Sequence, residues 1–372
     1  KPLPFSFSRA SSGTVINKDG LIETVGSGEP RIDFKDNTKG ALLLEPQRVN
    51  IFDYSSDLSA WSKLNSTVTE SSVLSLDGVN NSYAYEKTSS STSYIYRTVS
   101  LSNTTDYTLS FFVKSGTSTN VRTDIWDTIQ SVQCQIQIDL VTKTVSNFVG
   151  NSYKIEDYKN GWMRVSVSFT SESSFGTTFN RYFNIDSVGS ELYIWGAQLE
   201  QGSYATSYIP TSGSAVTRVA DSSSQTLPSS VFNSYPFSVF TEVDVVDTST
   251  GYIFSLLKLS SSAEYFTIEY FSNVWHITAR PNGSTQRITS TTTVSKGTHK
   301  IVGVWESSSM KLYLNGSLIA SGSNSQSFNS QVNSMLLGQL RISGDTGSRN
   351  TIRQTYLYNN ALTDAEAIAL TS

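Results

Sequence analysis

Short stretches in which apolar and polar residues alternate recur along the chain, and this period of two most strongly constrains its fold. In Tyr107–Val113 the odd positions are apolar, whereas Thr108 and Ser110 are polar; in Val132–Leu140 glutamines alternate with apolar residues. Such alternation is typical of β-strands that turn one face to a core and the other to water. We therefore predict an all-β protein, with Thr108 and Ser110 on a solvent-facing surface.

The length and the aromatic content agree with tandem β-sandwiches. The 372 residues include 19 Tyr, 18 Phe and 6 Trp, which suits many short pleated strands joined by polar turns. At about 150 residues per domain, two or three units are expected. We predict an N-terminal β arm over 1–49, a jelly-roll sandwich over 50–221, an architecture that many carbohydrate-binding modules share, and a second sandwich over 222–372.

Two local signals define the end of the chain. Asn315 and Gly316 predict a two-residue hairpin turn, because both residues tolerate positive φ. Thr363 and Glu366 have the spacing of a capping box at the start of a short helix. The second sandwich is therefore expected to finish with a hairpin, a strand and one helix.

The same region resembles a known family. The hairpin Lys311–Gly316 and the ending Leu357–Glu366 are similar to segments of laminin-G-like, concanavalin A-like sandwiches. The resemblance covers roughly residues 235–370. It implies a lectin-like fold for the second sandwich.

The stretch Tyr193–Asp221 separates the two predicted sandwiches. It starts with the strand-forming residues Tyr193–Trp195, and Pro210 then interrupts regular structure. Tyr208 and Ile209 are apolar, which is unusual for a solvated linker. We expect this segment to be a connector that docks on the sandwich before it.

Short sequence motifs, which we call words, lie at both ends of the first sandwich. They are Arg9–Ser11, Asp19–Ile22, Pro30–Asp33 and Leu43–Arg48, followed by Trp195–Glu200, Tyr208–Thr211, Thr217–Arg218 and Ala220–Asp221. In this order the words resemble segments of phage tail-fibre and head-fibre proteins, and they bracket residues 9–221. The resemblance implies a protein on the surface of a phage virion, with other virion proteins as partners and a homo-oligomer, often a trimer, as its assembled state.

The charge content excludes some classes of partner. Lys and Arg number 27 and Asp and Glu number 31, giving a net charge of −4 with only 16% charged residues. Nucleic acids and anionic membranes are bound by clustered Lys and Arg. We therefore predict neither nucleic-acid binding nor membrane insertion, and the single cysteine, Cys134, excludes a disulfide framework within the chain.

Glu242, Asp244 and Asp247 are the clearest candidates for catalysis. Their stretch resembles the Glu-x-Asp-x-x-Glu strand of laminarinase-type β-glucanases, and the resemblance implies a retaining glycosidase. However, the last position holds the shorter Asp, and it has the opposite strand parity. The polar face of an outer strand explains the same residues. We predict no catalytic residue and keep a glycan depolymerase that uses Glu242 and Asp244 as the alternative.

The sequence contains no pattern for a resident cofactor. His276 and His299 are the only histidines, and each lies in a strand pattern where a structural role is the default. No Cys and His cluster has the spacing of a zinc site. A structural calcium ion would bind scattered oxygen ligands that leave little trace in sequence, so no metal ligand is assigned.

Trp126 is the best candidate for sugar binding. Sugar binding needs a flat aromatic surface for the apolar side of a pyranose and nearby polar groups for the hydroxyls. Trp126 is flanked by Arg122, Asp124 and Asp127 and is expected at a strand end or loop. We therefore predict a carbohydrate-binding site at these four residues.

Trp275, with Tyr270 nearby, is the corresponding candidate in the second sandwich. It alternates with Val274 and His276, so an exposed and a buried position are equally compatible with the sequence. The other tryptophans are expected in the core: Trp61, Trp162, Trp195 and Trp305.

Together these features predict a phage fibre or spike protein that binds bacterial surface polysaccharide without catalysis. A depolymerase is one alternative. A purely structural fibre or capsid decoration is the other, and burial of both Trp126 and Trp275 would favour it.

Overall fold

The computed structural model describes residues 5–79, 82–129, 131–174, 176–184, 186–230, 232–258, 261–329, 332–339 and 350–372, with the backbone alone at 131, 261–263 and 350. Nearly all regular structure in these residues is β-strand, so the predicted all-β class is confirmed. Every strand pair given below is antiparallel.

In the described residues before position 219 there are nineteen strands. They are β1 Ser6–Ser8, β2 Gly13–Ile16, β3 Ile22–Val25, β4 Ile32–Asp33, β5 Ala41–Leu44, β6 Arg48–Asn50, β7 Ser62–Leu64, β8 Ser66–Glu70, β9 Tyr83–Lys87, β10 Tyr94–Val99, β11 Asp106–Ser115, β12 Asn120–Asp127, β13 Ser131–Asp139, β14 Val145–Val149, β15 Ser152–Asp157, β16 Met163–Thr170, β17 Thr178–Asn184, β18 Glu191–Gln201 and β19 Val216–Arg218. Single 3-10 turns span Leu58–Ala60 and Lys159–Gly161.

Eleven strands and one α-helix follow. They are β20 Ser222–Thr226, β21 Phe237–Val245, β22 Thr250–Lys258, β23 Ser261–Phe271, β24 Val274–Arg280, β25 Gln286–Thr293, β26 Gly297–Trp305, β27 Ser309–Leu314, β28 Ser317–Ser323, β29 Ser334–Leu337, β30 Asn350–Tyr358 and α1 Asp364–Thr371.

The chain divides into two compact units that are discontinuous in sequence. Unit 1 comprises residues 1–15, 25–47 and 219–372, and unit 2 comprises residues 16–24 and 48–218. The division into independent domains at residues 49 and 221 stays a prediction. Most of the predicted arm is grouped with unit 1, where its strands pair as described next.

Unit 1 is built from two seven-stranded sheets. One has the order β1-β20-β29-β22-β23-β24-β25, and the other has the order β28-β27-β26-β21-β30-β5-β4. Inward residues such as Phe237, Phe266 and Trp305 form the core between them, with the rings of Phe237 and Trp305 stacked at 4.9 Å between centroids. Residues of the predicted arm thus supply edge strands to both sheets.

The two local predictions at the end of unit 1 are confirmed. Asn315 and Gly316 have positive φ values of 47° and 81° and join β27 to β28. At the start of α1 the Thr363 hydroxyl accepts a hydrogen bond from the Glu366 backbone N–H, and the Glu366 carboxylate accepts one from the Thr363 backbone N–H. Each signal depends only on residues that are close together in sequence. The sequence therefore predicts both features without knowledge of the tertiary fold.

Unit 2 contains two six-stranded sheets. We call the sheet β15-β16-β11-β18-β9-β8 the covered sheet and the sheet β14-β13-β12-β17-β10-β7 the open sheet. Between them lies a core of inward residues from both, among them Ile125, Ile136, Tyr182 and Val165. The opposite face of each sheet points away from this core, and these two outer faces differ in what packs on them.

The outer face of the covered sheet is buried under a second small core. Phe112 and Trp195 project from it and pack with Trp162 and with Tyr208 of the connector. Gly196, with φ of 63°, lets the Phe112 ring pack close to the backbone of β18, because a Cβ there would lie 2.7 Å from that ring. One of the two sheets of unit 2 therefore has no free outer surface at this position.

This burial overturns the expected solvent-facing position of Thr108 and Ser110. Both are almost completely shielded. The Thr108 hydroxyl donates to the carbonyl of Gly202 at 2.7 Å, and the Ser110 hydroxyl accepts from the Arg164 guanidinium at 2.9 Å. The alternation marked a polar face correctly, but that face is covered by chain and its hydroxyls are satisfied by protein partners.

Polar contacts hold the part of the connector that follows residue 201 against β18. The Glu200 carboxylate accepts hydrogen bonds from the backbone N–H and the hydroxyl of Thr206 at 2.8 and 2.6 Å. Arg218 donates to the same hydroxyl at 3.1 Å, and the Gln198 side chain accepts from the Ile209 N–H at 2.7 Å. These buried bonds give a structural reason for the Trp195–Glu200 and Thr217–Arg218 words.

Unit 1 contains a set of four buried charged side chains, Arg9, Arg31, Glu45 and Asp221, which we call the buried ion cluster. Arg9 lies 2.9 Å from Asp221, Arg31 lies 2.8 Å from Glu45, and Arg31 also forms an ion pair with Asp221. Burial by itself lowers the pKa of Arg31, but the charges of Glu45 and Asp221 outweigh it and raise that pKa. Two guanidiniums and two carboxylates balance each other away from solvent, and each comes from a different sequence word.

Candidate functional site

The outer face of the open sheet carries an ordered array of large side chains. Strands β10, β17 and β12 lie side by side, and residues directly opposite each other on antiparallel strands share a face. We call the eight large or charged side chains of this face the aromatic grid: Tyr94, Tyr96, Arg122, Asp124, Trp126, Phe179, Arg181 and Phe183. Strand register sets the rows, of which the first holds Arg122, Phe183 and Tyr94, the second Asp124, Arg181 and Tyr96, and the third Trp126, Phe179 and Thr98.

The rings of the aromatic grid are in mutual contact. Trp126 stacks on Phe179 with centroids 5.9 Å apart, and Tyr96 meets the other side of Phe179 at 5.6 Å. Tyr94 contacts Phe183 at 5.2 Å and Tyr96 at 5.8 Å. Trp126, Tyr94, Tyr96 and Phe179 remain partly exposed, so together they present a broad apolar surface on an otherwise polar sheet face.

An ion pair lies at the centre of the aromatic grid. Arg181 holds the Asp124 carboxylate with two hydrogen bonds of 2.8 and 3.0 Å. Its guanidinium also lies 4.8 Å from the Trp126 ring centroid. Burial raises the pKa of Asp124, and the contacts with Arg181 and Arg122 offset only part of this rise. The pair fixes the orientation of Arg181 beside the tryptophan.

Arg122 provides a second cation on the same face. Its guanidinium carbon lies 3.7 Å from the centroid of the Phe183 ring, which is a close cation–π contact. Burial lowers the pKa of Arg122; Asp124 raises it and Arg181 lowers it further. On the neighbouring strand Gln137 lies opposite Arg122 and Gln135 lies opposite Asp124, so amide side chains border the cations.

Three of the predicted site residues in unit 2 belong to the aromatic grid: Arg122, Asp124 and Trp126. Trp126 lies at the end of β12, in agreement with its expected position at a strand end. Asp127 does not join them, because it is fully buried and accepts a hydrogen bond from the Gly176 N–H at 2.6 Å. Its inclusion in the site is corrected, and its role is to hold the turn after the strand.

The predicted site in the second sandwich is also corrected. Trp275 and Tyr270 are both fully buried and pack against each other with centroids 5.2 Å apart. The Tyr270 hydroxyl donates to the Asp247 carbonyl at 2.7 Å. Both rings point into the core between the sheets of unit 1, so they offer no surface to a sugar. The four tryptophans expected in the core are buried as predicted: Trp61, Trp162, Trp195 and Trp305.

Sequence reasoning missed five of the eight residues of the aromatic grid. Phe179, Arg181 and Phe183 come from β17, a strand that was not predicted, and Tyr94 and Tyr96 from a strand whose outward residues were not considered. The signal in β17 is an aromatic or arginine at every second position from 179 to 183. Inward-facing Tyr182 obscures it, because a strand with aromatics on both faces shows no apolar alternation.

The carboxylates considered for catalysis are held by neighbours. Glu242 accepts from the Gln354 amide at 2.7 Å. Asp244 accepts from Arg353 at 3.0 Å and from the Thr298 hydroxyl at 2.5 Å. Asp247 lies beyond the end of β21. These contacts are those of a polar outer strand face, as the structural interpretation of the stretch expects.

Other potential reaction centres are buried or isolated. Burial lowers the pKa of His276, whose ring stacks on Phe271 at 3.8 Å between centroids. Cys134 is buried in the core of unit 2. Across the described ranges, no group of three or more His, Cys, Asp or Glu side chains is placed to hold a metal ion. A search of the same residues finds no helix with the length and apolarity needed to span a bilayer.

Two solved structures are similar to part of this chain. The sialidase module CBM40 of Ruminococcus gnavus, solved with α2,3-sialyllactose, is 15% identical with a TM-score of 0.33, and the match covers 38% of this chain and 84% of that one. The receptor-binding domain of botulinum neurotoxin mosaic serotype C/D is 13% identical with a TM-score of 0.33, and the match covers 40% of this chain and 39% of that one. TM-scores at this level carry no argument about the present chain.

No curated protein matches the chain. A family model described as the concanavalin A-like lectin/glucanases superfamily matches residues 219–368. The match coincides with the predicted lectin-like region over roughly 235–370 and confirms it. In unit 1 the C-terminal sandwich is therefore a concanavalin A-like domain.

Proposed function

We propose that this chain is a non-catalytic glycan-binding protein and that the aromatic grid is its binding surface. The observation that carries the proposal is the partly exposed array of Trp126, Phe179, Tyr94 and Tyr96 around two arginines. Aromatic faces bind the apolar side of pyranose rings, while guanidinium and amide groups bind hydroxyl and acidic substituents. Both requirements meet on one sheet face of unit 2.

The comparison between the two sheets of unit 2 supports this choice of surface. On the covered sheet, Phe112 and Trp195 are packed under the connector, whereas on the open sheet Trp126, Phe179, Tyr94 and Tyr96 retain solvent contact. Rings that only stabilise a fold are normally enclosed, and contiguous exposed apolar surface is characteristic of binding sites. The open sheet is therefore the surface of unit 2 on which a ligand can lie.

We place this binding function on a phage virion, as a fibre or spike that attaches to bacterial surface polysaccharide. The support is the ordered set of sequence words from residue 9 to 221, which resembles phage fibre proteins. A homo-oligomer, in particular a trimer, and contacts with other virion proteins belong to the same proposal. Light scattering of the purified chain tests the oligomer, and mass spectrometry of purified phage particles tests the location.

The binding proposal is tested with a glycan array and with host cells. Wild-type protein is expected to bind, and Trp126→Ala is expected to weaken binding at least about tenfold, because it removes the largest ring of the surface. Tyr153→Ala is the matched control, since Tyr153 is an exposed aromatic, 48% accessible, on the covered sheet. A blank array together with blank cells would contradict the proposal, and so would equal losses in both variants.

The same proteins and polysaccharides distinguish the two alternative functions, a glycan depolymerase and a purely structural protein. Release of new reducing ends from a bound polysaccharide would indicate a depolymerase, and loss of that activity in Glu242→Gln would place it at β21. A change from oligomer to monomer in Trp126→Ala, without any glycan binding by the wild type, would instead show that the aromatic grid is a contact between copies of a structural protein.

A further inference from the structure

The charges of the aromatic grid do not balance. It contains two cations, Arg122 and Arg181, and one carboxylate, Asp124. Both oxygens of Asp124 accept from Arg181, at 2.8 and 3.0 Å. This bidentate geometry satisfies one guanidinium with one carboxylate. The pair is neutral as a whole, and the positive charge of Arg122 is left over.

Arg122 has no anionic partner in the part of the chain that the structure describes. No carboxylate there forms an ion pair with it, and its Nε has no hydrogen-bond acceptor. The charges that act on it are those of Asp124, already paired, and of Arg181, which repels it. A partly buried guanidinium in this situation gains from an added anion, because burial and a like charge both disfavour its charged form.

The surroundings of Arg122 favour a planar anion attached to a ring. The guanidinium carbon lies over the Phe183 ring, 3.7 Å from its centroid, and a planar guanidinium matches a carboxylate with two parallel hydrogen bonds. Tyr94 lies in the same row on the far side of Phe183. A sugar resting on the tyrosines would therefore have this cation within two strand spacings, about 10 Å.

From this charge pattern we infer that the aromatic grid selects acidic glycans, with Arg122 binding the carboxylate of a uronic or other carboxylated sugar and Trp126, Tyr94 and Tyr96 binding its ring and those of its neighbours. The inference rests on the proposed glycan-binding function and adds the class of ligand. It also distinguishes the roles of the two arginines: Arg122 contacts the ligand's charge, whereas Arg181 positions Asp124 and borders Trp126.

The test compares each acidic polysaccharide with its own neutral derivative. Polygalacturonate, alginate and polysialic acid are used alongside the same polymers after reduction of their carboxyl groups to alcohols, and affinities are measured by biolayer interferometry. Wild-type protein is expected to bind at least one carboxylated polymer about tenfold or more tightly than its reduced form. Arg122→Gln is expected to lose most of the affinity for the carboxylated polymer and much less of the affinity for the reduced one, so that their ratio falls to near one, and Arg122→Lys is expected to retain part of the difference.

Each result separates the inference from the function on which it rests. If wild-type protein binds carboxylated and reduced polymers equally, or if Arg122→Gln weakens both to the same degree, acidic selectivity is wrong although glycan binding stands. If Trp126→Ala leaves all binding intact, the aromatic grid is not the site and both fail. Absence of binding to either form of every polymer contradicts both as well. Thermal unfolding of each variant verifies that Arg122→Gln remains folded.

Discussion

Arginine and carboxylate side chains meet in two regions of this protein with different outcomes. In the buried ion cluster of unit 1, two guanidiniums are matched by two carboxylates and all four side chains are shielded from solvent. On the open sheet of unit 2, Arg181 is matched by Asp124, but Arg122 is not. The same residue types therefore serve structure where their charges cancel, and point to a ligand where one charge remains.

The two regions also differ in where they lie in the sequence. The four residues of the buried ion cluster lie in four separate words of the proposed fibre-protein resemblance, and loss of any one of them would leave a buried charge unbalanced. Arg122, Arg181 and the rings around them lie outside those words. The words thus include charged residues that hold the scaffold of unit 1, whereas the residues of the aromatic grid lie elsewhere in the sequence.

The largest expected effect comes from breaking the buried ion cluster. Asp221→Ala leaves two buried guanidiniums with a single carboxylate, and we expect it to lower the free energy of unfolding of unit 1 by about 5 kcal/mol. Chemical denaturation followed by circular dichroism measures the change. The matched control is Asp157→Ala, which removes the exposed ion pair with Lys143 at 2.7 Å and should cost less than about 1 kcal/mol. Similar losses in the two variants would show that burial does not distinguish these pairs.

A second comparison concerns Trp126 and Trp275, the two tryptophans that the sequence proposed for sugar binding. Trp275→Ala empties part of the core of unit 1 and should cost about 3–4 kcal/mol of stability, without a direct effect on a glycan bound to unit 2. Trp126→Ala removes a partly exposed ring and should cost much less stability while weakening binding. Denaturation and interferometry on both variants measure the two effects. A binding loss confined to Trp275→Ala would reverse the assignment.

The smallest expected effect concerns the ion pair between Asp53 and Arg97. This pair is more exposed than the buried ion cluster and less exposed than the pair of Asp157 and Lys143. Hydrogen bonding by Arg97 lowers the pKa of Asp53, although burial acts in the opposite direction. Because the folded pKa is below the unfolded value of about 4, the stabilisation is complete above that pH and is lost as the pH falls through the lower folded pKa. Asp53→Asn should therefore flatten the decline in stability of unit 2 below about pH 4.

Thermal unfolding of wild type and Asp53→Asn across acidic pH measures this difference. Parallel pH profiles for the two proteins would contradict it. If the difference in stability between the two proteins instead changed with pH above pH 5, the effect would belong to another titratable group.

Local signals in the sequence predicted much of the fold but little of the surface. The hairpin at Asn315 and the capping box at Thr363 depend on neighbours in sequence, and both were predicted correctly. Thr108 and Ser110 were placed in solvent, because alternation identifies a polar face without showing what packs on it. Here the connector does, and it lies far from β11 in the sequence.

The binding surface was only partly predictable for a related reason. Trp126 was identified because charged residues flank it in sequence. Phe179, Phe183 and Tyr94 join it through strand register, which depends on pairings between segments far apart in the chain. Trp275 has an equally suitable local sequence, but its ring turns inward. Whether such a tryptophan is exposed or buried is decided only by how the strands are ordered in the sheets.

The discontinuity of unit 1 has a consequence for synthesis of the protein. All residues of unit 2 have been made once residue 218 is added, whereas unit 1 needs residues from before position 48 and after position 218. Domains generally fold as units while the ribosome is still adding residues. Arg9 and Arg31 must therefore share Glu45 as their one carboxylate partner in the buried ion cluster, on an incomplete sandwich, until Asp221 and the strands after it leave the exit tunnel.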